Sequence, residues 1–274
     1  MSAHTDLVVN ADDFGWSRSV NLGIVEAHER GIVTRASVLA TGAAFEHAVE
    51  LARATPSLGV GVHLNFYRGN TILDPEQIPS LVGEDGRLPG SWQTIARRLL
   101  FGTLDMGELE AELRAQIAHV RAAGLAPDHL DSEKHLHLWP SAFDLVCRLA
   151  QEAGIREVRV VREPFTLQPI PFGLTALSAR NAAAARRRGL GVSDATIGVT
   201  EAPTDMDALV RLLRRAHTGR VEFVVHPGRV DDEFLALQAT IANRLVYSRE
   251  EELAVLTDPA ARAAVESAGC LLVS

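Results

Sequence analysis

The chain is organised around Leu7-Val8-Val9-Asn10-Ala11-Asp12-Asp13-Phe14-Gly15. The apolar, β-branched run predicts a buried strand over residues 7–10, with both carboxylates at its carboxyl end. In parallel α/β sheets that end is where ligands and catalytic groups collect. Adjacent residues of an extended chain face opposite ways, so Asp12 and Asp13 are expected to do different jobs, one holding a cation and the other taking a proton. The plain alternative for Asp13 is an acidic cap on the helix that follows.

Outward from this stretch, strand-like and helix-like segments alternate. A helix over 17–30, closed by Gly31, leads to a strand at 36–40, a helix at Phe45–Ala54 and a strand at Gly59–Leu64. Residues 66–92 carry many glycines, prolines and acids and predict a long loop, the kind that often forms lids or substrate walls. Beyond it the pattern predicts a helix at 107–123, a strand at 128–131, a helix at 141–153 and a strand at 157–161. The Pro- and Phe-rich 163–175 is expected to be irregular, and an Ala/Arg-rich helix covers 176–188. Strands at 195–199 and 221–226 flank a helix at 205–216. Helices near 232–246 and 259–267 precede a last strand at 270–273. Such alternation means parallel strands with right-handed crossovers. Seven or eight units favour a single imperfect (β/α) barrel of the α/β class, one domain over 1–274, above an open sheet.

The composition is that of an ordinary soluble protein, with 47% apolar residues and a formal net charge of -8 over 274 residues. The acidic balance argues against a nucleic-acid partner. Arg186-Arg187-Arg188 is the one dense basic run and reads as a solvated helix end. Cys147 and Cys270 form no CxxC pair and lie in apolar segments, as buried free thiols of a reducing compartment do. No run approaches the roughly 18 apolar residues of a membrane span, and the first strand begins too early to leave room for a signal peptide. The expected location is cytoplasmic.

Polar residues recur where the strands end. Asp12 and Asp13 follow the first, and His63 and Asn65 close the third. Asp131-Ser132-Glu133-Lys134-His135-Leu136-His137 follows the fourth, Arg159 lies in the fifth and His226-Pro227-Gly228 ends a late one. In a barrel these ends converge on one face. His63 between Val62 and Leu64 also fits a satisfied core histidine. In an extended chain Asp131, Glu133, His135 and His137 share one face; in a helix Glu133 and His137 do. Clustered ionisable groups need a cation, an ion pair or water. Oxygen and imidazole donors without thiolates suit Zn²⁺, Mn²⁺, Co²⁺ or Mg²⁺, and such a site activates water and polarises a carbonyl. Metal-assisted hydrolysis follows from these residue types, whereas GxSxG, HExxH and Gly-rich phosphate loops are absent.

The motifs Asn10–Gly15, Gly61–Asn65, Asp131-Ser132-x-x-His135-x-His137 and His226-Pro227, with Gly31–Thr34 and Pro56–Gly59 between them, resemble those of the YdjC-like carbohydrate deacetylases along essentially the whole chain. The resemblance implies a barrel related to the NodB-type polysaccharide deacetylases. It also implies removal of an N-acetyl group from an amino sugar, as in chitooligosaccharides or an N-acetylglucosaminyl conjugate, by a cytoplasmic protein that commonly forms a homodimer. Carried over by position, Asp13 and His63 are metal ligands, Asp12 the general base, His226 the general acid and Arg159 a holder of a carboxylate. Asn65, Asp131, His135 and His137 are expected to bind substrate or support the site. One departure stands out. The third motif usually reads Asp-Ser-His-x-His, its first His being a ligand, and here Glu133 occupies that place. Glu133 as third ligand would make a harder site that favours Mg²⁺. Alternatively, His135 or His137 takes over, or the site is metal-poor and the chain is a sugar-binding protein of altered chemistry. Hydrolysis of an O-acetyl group by the same machinery is a further reading. The Pro- and Phe-rich segment from Pro164 to Phe172 reads as an apolar substrate wall or a buried loop, a choice relevant to the hopanoid-pathway members of the family.

Overall fold

Period-two alternation decides which way each strand's side chains look. In β1 (Thr5–Phe14) Leu7, Val9 and Ala11 join the apolar cluster beneath the helices, whereas Asn10 and Asp12 turn inward and bond to each other. The pattern repeats in β2 (Arg35–Val38), with Ala36 and Val38 outward and Arg35 and Ser37 inward, and in β3 (Gly59–Leu64), with Val62 and Leu64 outward and His63 inward. It holds for Leu130 against His129 and Asp131 in β4 (His129–Ser132) and for Val221 and Phe223 against Glu222 in β7 (Arg220–Val225). The interior is therefore polar and the apolar core lies between sheet and helices.

The computed structural model describes residues 4–163, 169–216, 219–239 and 248–274, with only the backbone of 169–176. The remaining strands are β5 (Glu157–Val158), β6 (Ala195–Ile197) and β8 (Cys270–Leu272). The described helices are α1 (Arg18–Glu29), α2 (Phe45–Ala54), α3 (Trp92–Phe101), α4 (Met106–Ala122), α5 (Pro140–Ala153), α6 (Pro169–Arg187), α7 (Met206–Leu213), α8 (Asp232–Ala239), α9 (Arg249–Thr257) and α10 (Pro259–Ser267). The strands run parallel in the order β5-β4-β3-β2-β1-β7-β6, and β8 adds to the start of β1. Parallel pairing puts all carboxyl ends on one rim. The two edges are tied by backbone bonds from Val158 N to Gly191 O at 3.1 Å and from Thr196 N to Arg162 O at 3.0 Å, so the curled sheet makes the expected imperfect barrel.

Several expectations need correction. Helix α3 falls where the loop was expected to give way directly to α4. Its only buried positions are Ile95 and Leu99, too few to stand out beside a Gly/Pro-rich stretch. Helix α9 buries Arg249 and Glu252 among its apolar residues, which hides its period. Helix α6 begins at Pro169, a first-turn proline that a helix tolerates, inside the stretch expected to be irregular. The expected wall at 164–172 lies outside the described residues for 164–168, and for 169–172 only the backbone is described. The expected 232–246 helix is described to Ala239. Cys147 and Cys270 are buried and unpaired, as expected. Among the described residues no helix is long and apolar enough to cross a membrane.

Candidate active site

The end of β1 departs from regular strand geometry. Its register with β2 shifts between Ala11 and Phe14, and Asp13 has φ 70°. A bulge of this kind re-aims side chains, and here it cancels the alternation that would send neighbouring carboxylates to opposite faces. Asp12 and Asp13 both line one cavity of about 430 Å³. Ser17, whose side chain accepts from Val20 N, caps α1, so Asp13 is free of that duty. A non-glycine residue in the left-handed region costs on the order of 1–3 kcal/mol. Lys134 and His135, both at φ 54°, are the other two such residues described, and they line the same cavity.

Asp12 is gripped from below. Arg159 Nη1 and Nη2 donate to its two oxygens at 2.7 Å each, and Asn10 Nδ2 adds a bond at 2.8 Å. The same guanidinium reaches Asp131 Oδ2 and Glu222 Oε1, both at 2.7 Å. Arg159 thus holds three buried carboxylates. Burial raises the Glu222 carboxyl. For Asp131 burial acts the same way, but Arg159 and His63 outweigh it and hold the carboxyl well below its usual range.

His63 is oriented through a buried chain. Its Nδ1 lies 2.7 Å from Asp131 Oδ1, Ser37 Oγ donates to Asp131 Oδ2 at 2.5 Å, and His129 Nε2 lies 3.1 Å from Ser37 Oγ. His63 Nε2 stands 4.0 Å from Asp13 Oδ1 on the cavity side. Burial works against the imidazolium, yet Asp131 and Asp12 push His63 up to about 9. Gly61 makes room for this chain, because a Cβ there would run into the His129 ring.

The segment from Glu133 to Leu138 is neither a strand nor a regular helix. It is a pair of tight turns broken by the left-handed Lys134 and His135. This corrects the one-face expectation. Glu133 and His135 line the cavity, whereas Asp131 lies beneath it and His137 turns away. His137 Nδ1 lies 2.6 Å from Ser132 Oγ and Nε2 2.9 Å from the Arg159 carbonyl, so both ring nitrogens are engaged. Burial lowers it to about 4. It supports the wall and is unavailable as a ligand. Burial also pushes Glu133 up, partly offset by Arg68.

His226 follows β7 and lines the cavity with Nε2 4.0 Å from Asp12 Oδ2. Burial lowers it to about 4, with Asp12 and Asp13 opposing, so its ring is neutral at pH 7. Beneath it Glu252 accepts from His226 N at 2.7 Å and is pushed by burial to about 7.

Three basic residues that the motifs did not single out complete the cavity. Arg68 Nη2 donates to Asp13 Oδ1 at 2.8 Å and contacts Glu133 Oε1, while Arg249 Nη2 donates to Asp13 Oδ2. Burial raises the Asp13 carboxyl, but Arg249 and Arg68 outweigh it and hold it well below its usual range. Lys134 is lowered by burial to about 8. Arg68 hid in the loop and Arg249 in an unexpected helix; the only signal was Arg68 five residues after His63. Asn65 supports that loop by donating to the Arg68 carbonyl at 2.6 Å.

Could a divalent ion sit here? Asp13, His63 and Glu133 each offer a ligand atom within 4.8 Å of the others. Glu133 Oε2 is buried without a hydrogen-bond partner, and the Asp131–His63 bond is the support that metal-binding imidazoles usually have. Asp12, His63 and Asp131 meet the same distance criterion, but Asp131 lies beneath the cavity, whereas all three residues of the first trio line it. The first trio fits as a donor set.

Comparison with known proteins shows the family. The sequence profile described as YdjC-like protein matches residues 6–267. The chain belongs to the YdjC-like family. Among its relatives, a carbohydrate deacetylase of Geobacillus stearothermophilus is 34% identical over 272 residues, covering 97% of this chain and 95% of the relative. A chitooligosaccharide deacetylase of Salmonella paratyphi B is 35% identical over 269 residues, covering 96% and 95%. The solved structure of a proposed cellobiose-phosphate cleavage protein from Enterococcus faecalis V583 superposes with a TM-score of 0.77 at 26% identity, covering 99% of this chain and 98% of that one.

Proposed function

We propose that this YdjC-like protein is a carbohydrate deacetylase that hydrolyses the acetamide of an N-acetylated amino sugar or its conjugate, using a divalent cation held by Asp13, His63 and Glu133. The observation that carries the reading is the meeting of Asp12, Asp13, His63, Glu133 and His226 around one cavity at the carboxyl ends of β1, β3, β4 and β7. Relatives of matching length named as carbohydrate and chitooligosaccharide deacetylases supply the substrate class. When bound, the cation supplies a Lewis acid for the carbonyl oxygen and an acidified water. Two carboxylates with one imidazole favour Mg²⁺ or Mn²⁺ over Zn²⁺.

The chain's own residues move the proton. Asp12, fixed by Arg159 and Asn10, accepts a proton from the attacking water. His226 starts neutral, so the proton it gives to the departing nitrogen is the one that reaches it from Asp12 across the 4.0 Å gap. The C–N bond breaks, leaving acetate and a free amine. The same reading makes the protein a cytoplasmic homodimer, for which the family resemblance is the support.

Acetate release from N-acetylglucosamine oligomers, measured after dialysis against Mg²⁺, Mn²⁺, Co²⁺ or Zn²⁺, tests the proposal. Asp12→Ala is expected to keep the metal and lose turnover. Sugar binding with no acetate from any loaded form would sink it. That result favours the second reading, a sugar-binding protein without turnover, to which the Arg68 guanidinium on Asp13 and Glu133 lends support.

A further inference from the structure

The geometry points to Arg68 as a built-in competitor for the cation position, so that a metal and this guanidinium hold Asp13 and Glu133 by turns. The inference rests on the metal reading above and concerns what governs loading of that site. A single nitrogen, Arg68 Nη2, donates to Asp13 Oδ1 at 2.8 Å and contacts Glu133 Oε1. Both oxygens belong to carboxylates of the candidate ligand set. An ion bonded to both oxygens would lie where that nitrogen lies. Two cations so close repel strongly in a low-dielectric cavity.

Arg68 is placed for this position. The residue is 7% exposed, and its guanidinium carbon stacks 3.7 Å from the Trp16 ring centroid. Its backbone is pinned on both sides by Asn65, whose Oδ1 accepts from Arg68 N at 3.1 Å and whose Nδ2 donates to Arg68 O. The identity of residue 133 enters here. A neutral imidazole would bind metal but offer a guanidinium no anion, whereas the Glu133 carboxylate binds either cation. Glu133 and Arg68 therefore act as a pair. The cavity also carries Arg249 and Lys134, so metal enters against a positive wall and Arg68 must leave its stack for it to seat.

Apparent affinity falls by the fraction of time the competent form exists, so a guanidinium that vacates the donors a tenth of the time or less weakens metal binding about tenfold or more. Titration calorimetry with Mn²⁺ or Zn²⁺ alone, on metal-stripped full-length protein, reads this directly. Arg68→Met, which keeps an apolar stem against Trp16, is expected to bind one ion at least about tenfold more tightly than wild type. Asp13→Asn added to it should abolish the gain. Arg68→Lys keeps a charge but loses the planar group that stacks on Trp16, so its ammonium is held over the donors less firmly and the variant should fall between the two; it also carries the test if the Met variant does not fold by thermal melt. Equal affinity of wild type and the Arg68 variants, with all of them binding, would overturn the competition and leave the metal reading standing. Failure of every variant, Glu133→His included, to bind either ion would overturn the metal reading and the competition with it.

Discussion

Arg159→Met removes the one guanidinium that Asp12, Asp131 and Glu222 share. Met fills much of the stem volume, so the loss is chiefly of charge. The three carboxylates are buried, and taking away one partner of a buried pair costs about 3–5 kcal/mol because a charge is left uncompensated. Three orphans do not triple this, since Glu222, already raised by burial, can take a proton. About 4 kcal/mol is then a large part of the 5–15 kcal/mol by which folded proteins are stable. The pH dependence has a definite sign. Arg159 depresses the folded-state pKa of Asp131, and a depressed carboxyl contributes stability above its unfolded value, near 3.9, that is lost as pH falls. The variant lacks that contribution, and protonation of Glu222 relieves its remaining penalty. Urea unfolding at pH 7 and at pH 3 measures both effects: the gap between wild type and variant should be widest at pH 7 and narrow as pH falls below about 4. A gap below about 1 kcal/mol at pH 7, or one that does not change with pH, would refute the reasoning.

Other outcomes follow from the same geometry. Gly61→Ala should press a methyl into the His129 ring, costing about 1–3 kcal/mol by overpacking and lowering the melting temperature by about 2–4 °C for each. If the melt is unchanged, the chain that orients His63 is looser than the distances imply. Asp12→Asn should lower kcat about 10²–10⁴-fold with metal content intact, and a variant retaining most of its rate would remove Asp12 from proton transfer. Because burial keeps His226 neutral, the pH profile of kcat/KM should carry no His226 ionisation near the ordinary imidazole value of about 6.5, close to where Glu252 titrates. An inflection there that disappears in His226→Gln would reassign the residue to a charged general acid.

The fold was readable because Leu7, Val9 and Ala11, and their counterparts in other strands, repeat an apolar beat between helices of ordinary length. The beat also carried a message that hydropathy obscured. Asn10 and Asp12, Arg35 and Ser37, and His129 and Asp131 alternate with it and mark a polar interior. The motif residues were legible as a group because parallel strands end on one rim. Their aim was not. The bulge at Asp13 and the left-handed Lys134 and His135 are backbone states that no residue type there announces. Arg68 and Arg249 escaped notice for a related reason. A long basic side chain reaches into a cavity from a loop or helix whose sequence resembles any solvated surface.

The charged interior also bears on descent. Asp12 and Asp131 close the same ion network that Arg159 anchors, so a lineage with no further use for the reaction would still keep both, or strand a guanidinium in its core. Retained aspartates in this architecture record folding as much as chemistry. Glu133 and Arg68 lie outside that network and are tied instead to each other and to Asp13, so they can change as a pair. A change of trade is therefore written first at the rim after β4 and in the loop after β3, while β1 goes on looking like an active enzyme.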